Sequence, residues 1–262
     1  MGCRIDPDQR AWYVATITAD FAGREERMWQ EYPSTPTEAF QVSTEGNYYA
    51  KDMAALRKRG GICDVPVLDM PVNTFWDIGN TDGCAVWFHQ ELRGEDRFID
   101  YEEGHGEDLR HYVKELNKRG YVWGTMFLPH DADHQRLSDF NRSTKQMLQA
   151  LMPGVRFMVV PRISELQTGI FATRKHLKAA WFDRARCDQG IKRIDGYRKK
   201  YSTVQARFID EPDKANGCSE GADALRQWAQ AKELGWLANL SHEPSAAARN
   251  DYDPPPPPDW QL

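Results

Sequence analysis

Three aspartates stand where a chain would place metal ligands. Asp77 closes the apolar segment Phe75-Trp76-Asp77-Ile78-Gly79, Asp131 follows another in Leu128-Pro129-His130-Asp131-Ala132-Asp133, and Asp223 lies in the first turn of a helix starting near Ser219. They are far apart in sequence, so only a tertiary fold can bring them together. Three converging carboxylates repel one another and need a counter-charge. Hard cations such as Mg²⁺ or Mn²⁺ supply it, because they prefer oxygen ligands. Two such ions clamp a phosphodiester, one lowering the pKa of the attacking water and the other stabilising the leaving oxygen. Plainer roles stay open: Asp77 as a turn former, Asp131 and Asp133 as loop acids, and Asp223 as a helix N-terminal charge worth about 0.3–1 kcal/mol.

Other candidates surround these three. Asp82 sits in the turn after Asp77 and is within reach of the same ions. Glu102 and Glu103 end a strand and face opposite sides, so at most one of them points into a shared site. His130, beside Asp131, is placed to orient a water or a phosphate. From Arg174 to Lys200 there are ten Lys/Arg against three Asp. That strip includes Arg174, Lys175, Lys178, Arg184, Arg186, Lys192 and Arg193, and is either a solvated helix surface or a phosphate-facing stripe. The net charge of the whole chain is −5, so bulk attraction predicts no nucleic-acid partner. There is no G-x-x-x-x-G-K-[ST], no G-x-G-x-x-G and no H-E-x-x-H, which argues against P-loop hydrolysis and against a zincin site. No Ser/His/Asp arrangement stands out.

The elements that must carry these residues follow from pattern. The chain has 262 residues, 40% of them hydrophobic, enough for a sizeable core. No apolar run reaches the roughly 18–20 residues of a membrane span, and the start lacks a signal-peptide stretch. Five cysteines without C-x-x-C spacing point to a reducing, intracellular setting. Residues 1–60 read as a lead-in broken by Pro33 and Pro36, with a short helix over 50–59 stopped by Gly60-Gly61. Alternation predicts strands over 72–78, 84–89 and 97–101 in an antiparallel meander. Leu109, Tyr112, Val113 and Leu116 form one helical face, ended by Lys118-Arg119-Gly120. A strand over 122–128, a helix over 143–151 and a strand over 155–160 follow. Beyond that the pattern is helical: Cys187, Ile191 and Ile194 keep helical spacing with Tyr197 and Tyr201 nearly on the same face, and Ser219 is positioned to cap a last helix. Residues 241–262 form an acidic tail with five consecutive prolines, Pro254 to Pro258. This order predicts an α/β fold, with an RNase H-like mixed five-strand central sheet flanked by helices as one of several arrangements it allows.

A family resemblance sharpens the picture. Gln30-Glu31-Tyr32-Pro33-Ser34-Thr35-Pro36-Thr37-Glu38-Ala39-Phe40 and Ser43-Thr44-Glu45-Gly46-Asn47-Tyr48-Tyr49 resemble the segment that follows the ATPase domain in large terminase subunits of tailed phages. Trp76-Asp77-Ile78-Gly79-Asn80-Thr81-Asp82 resembles the first-strand motif of their nuclease domain, Pro129-His130-Asp131 the second acidic motif, and Gly221-Ala222-Asp223-Ala224-Leu225-Arg226 the third. The resemblance runs from about residue 9 to residue 232. It implies an RNase H-like, metal-dependent endonuclease domain over 61–240 that cuts concatemeric viral double-stranded DNA during genome packaging. Asp77, Asp131 and Asp223 become ligands of two Mg²⁺ or Mn²⁺ ions, with Asp82 as a further acid. His130, Glu102 and Asp133 become auxiliary groups. The basic strip becomes a phosphate contact. Implied partners are the ATPase domain, which this chain lacks, the small terminase subunit and the portal or procapsid in the host cytoplasm, with no membrane. The Ser-His pair that the family often carries before its third aspartate is replaced here by Asn216-Gly217-Cys218-Ser219-Glu220. Two rival readings are a docking module linking the ATPase to the portal through the tail and Trp260, and another RNase H-like nuclease such as a resolvase.

Overall fold

The computed structural model describes residues 6–21, 28, 32, 46–79, 83–136, 142–205 and 207–237. The chain divides into two compact units, residues 1–47 and 48–262. In the first, the described residues form α1 (Pro7–Ala19). Its N-cap Asp6 accepts from the backbone N–H of Asp8 at 3.0 Å, and proline occupies the first turn.

The second unit holds the sheet. In chain order its elements are α2 (Ala50–Lys58), β1 (Ile62–Cys63), β2 (Val72–Ile78), β3 (Cys84–Leu92), β4 (Glu95–Gly104), α3 (Leu109–Lys118), β5 (Trp123–Leu128) and a 3₁₀ turn (His130–Asp133). Then come β6 (Gln135–Arg136), β7 (Arg142–Ser143), α4 (Thr144–Leu151), β8 (Arg156–Val159), α5 (Leu166–Leu177), β9 (Trp181–Asp183) and α6 (Asp188–Gly196). The hairpin strands β10 (Lys199–Ser202) and β11 (Arg207–Pro212), a 3₁₀ turn (Lys214–Asn216) and α7 (Ser219–Glu233) complete it. The helix over 50–58, assigned by sequence to the lead-in, packs in this second unit through Met53 and Leu56.

The main sheet runs β1-β9-β4-β3-β2-β5-β8. β2, β3 and β4 form an antiparallel meander. β5 pairs parallel with β2, and β8 parallel with β5. This order and sense of the five central strands is that of an RNase H-like sheet. The expected count of five is corrected to seven, because β9 and β1 extend the β4 edge in parallel. With three and two residues, they are too short to show a period in the sequence. The hairpin β10–β11 was missed as well, and it takes Tyr201 out of the expected helical face: α6 ends at Gly196.

Alternation along β2 and β3, interrupted where β4 bulges opposite Phe88 and His89, gives the sheet two apolar faces. Phe75, Trp87, Phe98 and Phe127 pack with α7, α5, α6 and α2 on one. Trp76, Val86, Phe88, Met126 and Leu128 pack with Tyr112, Val113 and Leu116 of α3 and Leu148 of α4 on the other. Arg93 and Gly94 both have positive φ, which turns β3 sharply into β4. Ser143 caps α4 in a full capping box with Gln146. Ser219 does not cap α7; the N-cap is Cys218, with no side-chain hydrogen bond. Among the described residues no helix is long and apolar enough to cross a membrane.

Candidate active site

Asp77 shares the parity of Phe75 on β2, so the pleat turns it toward the face covered by α7. Asp131 sits in the 3₁₀ turn that leaves β5, the strand beside β2. Asp223 lies one turn into α7. The start of α7 comes close to the sheet because residue 221 is glycine. A Cβ there would lie 2.7 Å from the Tyr101 hydroxyl and 2.8 Å from Arg193 Cβ. The Trp87 indole N–H donates to the Gly221 carbonyl at 2.8 Å and pins the approach.

The three aspartates line one open cleft of about 390 Å³, together with His130, Arg162 and Arg226. Burial pushes the Asp77 carboxyl well above its ordinary range, and Asp223, Glu220 and Asp131 add to the rise while Arg226 opposes it. Burial also raises Asp223, against the pull of Arg226 and Lys214. Asp223 Oδ1 is shielded from solvent and lies 2.8 Å from Arg226 Nη2, close enough for an ion pair but without hydrogen-bond geometry. Glu220 Oε2 is likewise buried and has no hydrogen-bond partner. A buried carboxylate oxygen without a donor is a site of unmet charge.

The donor set fits a hard divalent cation. Its groups are carboxylate oxygens, Asp223 and Asp131 each add to the rise of Asp77, and Asp223 Oδ1 is orphaned. Among the described residues, no three His, Cys, Asp or Glu side chains stand together as a ready-made ligand group. The cleft therefore supplies the right donor chemistry without a ready-made ligand group among the described residues.

The other predicted residues divide clearly. His130 is exposed on the rim of the cleft. Asp82 lies outside the described residues, as do the tail 241–262 and most of the 30–45 motif. Asp133 points elsewhere, 3.3 Å from Lys145. Glu102 is held by Arg119 at 2.6 Å, and Glu103, on the opposite face, by Arg193 at 2.6 Å. Neither lines the cleft.

The basic strip is not one surface, since it spans α5, the turn after β9, and α6. Arg174 faces Asp52 at 3.6 Å, Lys175 pairs with Glu233, Arg186 with Asp183 and Lys192 with Asp188. Lys178 and Arg184 are exposed, and Arg184 reaches the Ile62 carbonyl at 3.4 Å. None of the seven lines the cleft, whereas exposed Arg162 does. Sequence reasoning gave no role to Arg226, Glu220 or Arg162. For the first two a signal was present: Glu220, Asp223 and Arg226 recur at intervals of three, which stacks them along one side of a helix.

Fold and cleft together define an RNase H-like domain with an acid-lined groove at the junction of β2, the β5 exit and α7. Solved structures similar to this chain include large terminases and their nuclease domains. The large terminase of the thermophilic bacteriophage D6E matches at TM-score 0.49 and 14% identity, over 66% of this chain and 42% of that one. The P22 large terminase nuclease domain matches at 0.47 and 10%, over 69% and 93%. The large terminase nuclease of thermophilic phage G20c, solved with bound cobalt, matches at 0.46 and 11%, over 68% and 95%. This chain thus spans less than half the length of the D6E protein. No protein-family model matches the sequence, and no curated protein matches it.

Proposed function

We propose that this chain is a metal-dependent endonuclease that cuts concatemeric viral double-stranded DNA during genome packaging, as the nuclease part of a terminase large subunit. One observation carries the reading: acids from three distant segments line a single cleft, and the buried Oδ1 of one of them, Asp223, has no hydrogen-bond donor. Asp77, Asp131 and Asp223 would hold the ions, two Mg²⁺ or Mn²⁺. When bound, such ions activate a water and stabilise the leaving oxygen of a phosphodiester. The chain's own residues set the rest. Asp77 is central because β2 lies beside β5, whose exit carries Asp131, and under α7, which carries Asp223. His130 at the rim is placed to orient a phosphate, and Arg162 offers a cation to the backbone of the incoming strand without reading its sequence. Lys178 and Arg184, exposed elsewhere on the unit, add salt-sensitive phosphate contacts.

The motif resemblance supports the wider setting. Residues 1–47 are a lead-in from a packaging ATPase domain, the nuclease starts with the unit that opens at Tyr48 and runs to about residue 240, and 241–262 are a tail. The partners are that ATPase, the small subunit and the portal or procapsid, in the host cytoplasm. Digestion of supercoiled plasmid in Mn²⁺ or Mg²⁺ by wild type and Asp77→Ala tests the core of the proposal. The wild type should nick and linearise, and the variant should leave the plasmid intact. Equal nicking by both would end the assignment.

A further inference from the structure

The acid cleft already holds a cation of its own. Arg226 follows Asp223 by three residues on α7, and its side chain is 15% exposed. Nη2 lies 2.8 Å from Asp223 Oδ1, while Nη1 donates to the Tyr197 hydroxyl at 3.0 Å. Tyr197 is fully buried and stacks on Tyr49, so the hydroxyl that receives the guanidinium is itself fixed. Arg226 is the strongest opposing charge felt by both Asp77 and Asp223. A guanidinium does not give up its proton in a protein. While it is seated, the positive charge stays in the cleft. Yet its contact with Asp223 lacks hydrogen-bond geometry, and the Oε2 of nearby Glu220 has no donor at all. The guanidinium offsets the acids without satisfying them.

We propose that Arg226 is the resident counter-ion of the cleft: it holds Asp223 in the metal-free protein, gives way when a divalent cation enters, and thereby sets how tightly the site takes metal. The inference rests on the reading of Asp77, Asp131 and Asp223 as metal ligands. It accounts for a cleft with suitable donors but no ready-made ligand group, because one of those donors is turned to the guanidinium.

Calorimetric titration of MnCl₂ into chelator-stripped full-length chain separates the two claims. Wild type should bind, Asp77→Asn should bind far less, and Arg226→Gln should bind about tenfold more tightly, the order expected on removing one like charge a few ångströms from the ion. In chelator Arg226→Gln should melt below wild type, and saturating Mn²⁺ should raise its melting temperature more. If Asp77→Asn binds as wild type does, the metal-site reading falls. If Asp77→Asn loses binding while Arg226→Gln binds no more tightly than wild type, the counter-ion inference alone is overturned. Should Arg226→Gln fail to fold, the arginine Nε–H signals of ¹⁵N-labelled wild type titrated with MgCl₂ decide. The signal assigned to Arg226 by its loss in Arg226→Lys should shift and saturate with Mg²⁺. An Arg226 signal that stays fixed overturns the inference.

Discussion

Helix α7 passes two groups of carboxylates on the same face of the sheet, and they end in opposite states. Near its C-terminal end is Asp96, fully buried. It meets His89 Nε2 at 3.0 Å, accepts from the Trp228 indole at 3.0 Å and pairs with Lys232. Burial alone would raise this carboxyl. The His89 hydrogen bond and charge, then Lys232, outweigh that and hold it at about 2. Near the N-terminal end, Asp77 and Asp223 are also desolvated by burial although they line the open cleft, with other acids as neighbours and one imperfectly placed arginine, and both are raised. The difference lies in the partners and not in burial. A complete set of donors makes a buried acid a structural tie, whereas an incomplete set leaves charge that a ligand must complete.

The comparison is most easily broken by exchanging charge for a neutral isostere at each end. Asp77→Asn should lower plasmid cleavage by about 10⁴-fold, as expected when one member of a set acting together is lost. In chelator it should melt no lower than wild type, because it removes a repelled charge. A melting temperature well below wild type would show Asp77 to be a structural tie like Asp96. Asp96→Asn should do the reverse, costing about 3–5 kcal/mol in urea unfolding because Lys232 loses its buried partner. If Asp96→Asn is neutral, the distinction between the two ends disappears.

Acidity sharpens the contrast. The Asp96 carboxyl is depressed, so its contribution of about 2 kcal/mol is complete above the unfolded value near 4 and lost as pH falls toward 2. Asp77 has the opposite sign. Its folded value is raised, so in chelator its ionisation subtracts stability as pH climbs above the usual carboxylate range, and bound Mn²⁺ should remove that loss. Urea titrations of wild type and Asp77→Asn across pH, with and without Mn²⁺, read both slopes. A pH slope for the wild type in chelator equal to that of the variant would refute the second. The smallest effect serves as a control. Ser143→Ala, at a cap on the other face, should lower stability by about 1 kcal/mol and leave metal binding and both pH slopes unchanged.

Much of the framework is legible in local pattern. Phe75 and Trp76 announce a strand buried on both faces, and Leu109, Tyr112, Val113 and Leu116 a helix with one apolar side, because side-chain period follows directly from backbone geometry. The positions of Asp77, Asp131 and Asp223 at element ends follow from the same reading. Glu102, a candidate site acid in the sequence, is committed to Arg119, and Arg174, Lys175 and Arg193 of the basic strip are tied to Asp52, Glu233 and Glu103 of other elements. Charge type is visible in sequence, but a partner supplied from a distant segment is not. The edge strands β1 and β9 escaped for a related reason: their main-chain pairing leaves no periodic trace in two or three side chains.

The sequence by itself determined the central strands and the main helices, the parity that turns Asp77 toward one sheet face, and the spacing of three that aligns Glu220, Asp223 and Arg226 on α7. These depend on bond geometry within a few residues. Only the tertiary structure decided that α7 crosses β2 closely enough for Asp223 to neighbour Asp77, that Gly221 leaves room for that approach, and that Arg226 meets the Tyr197 hydroxyl while Asp96 collects a full set of donors. Those outcomes depend on which surfaces are buried against each other, and burial makes a charge's neighbours decide its state.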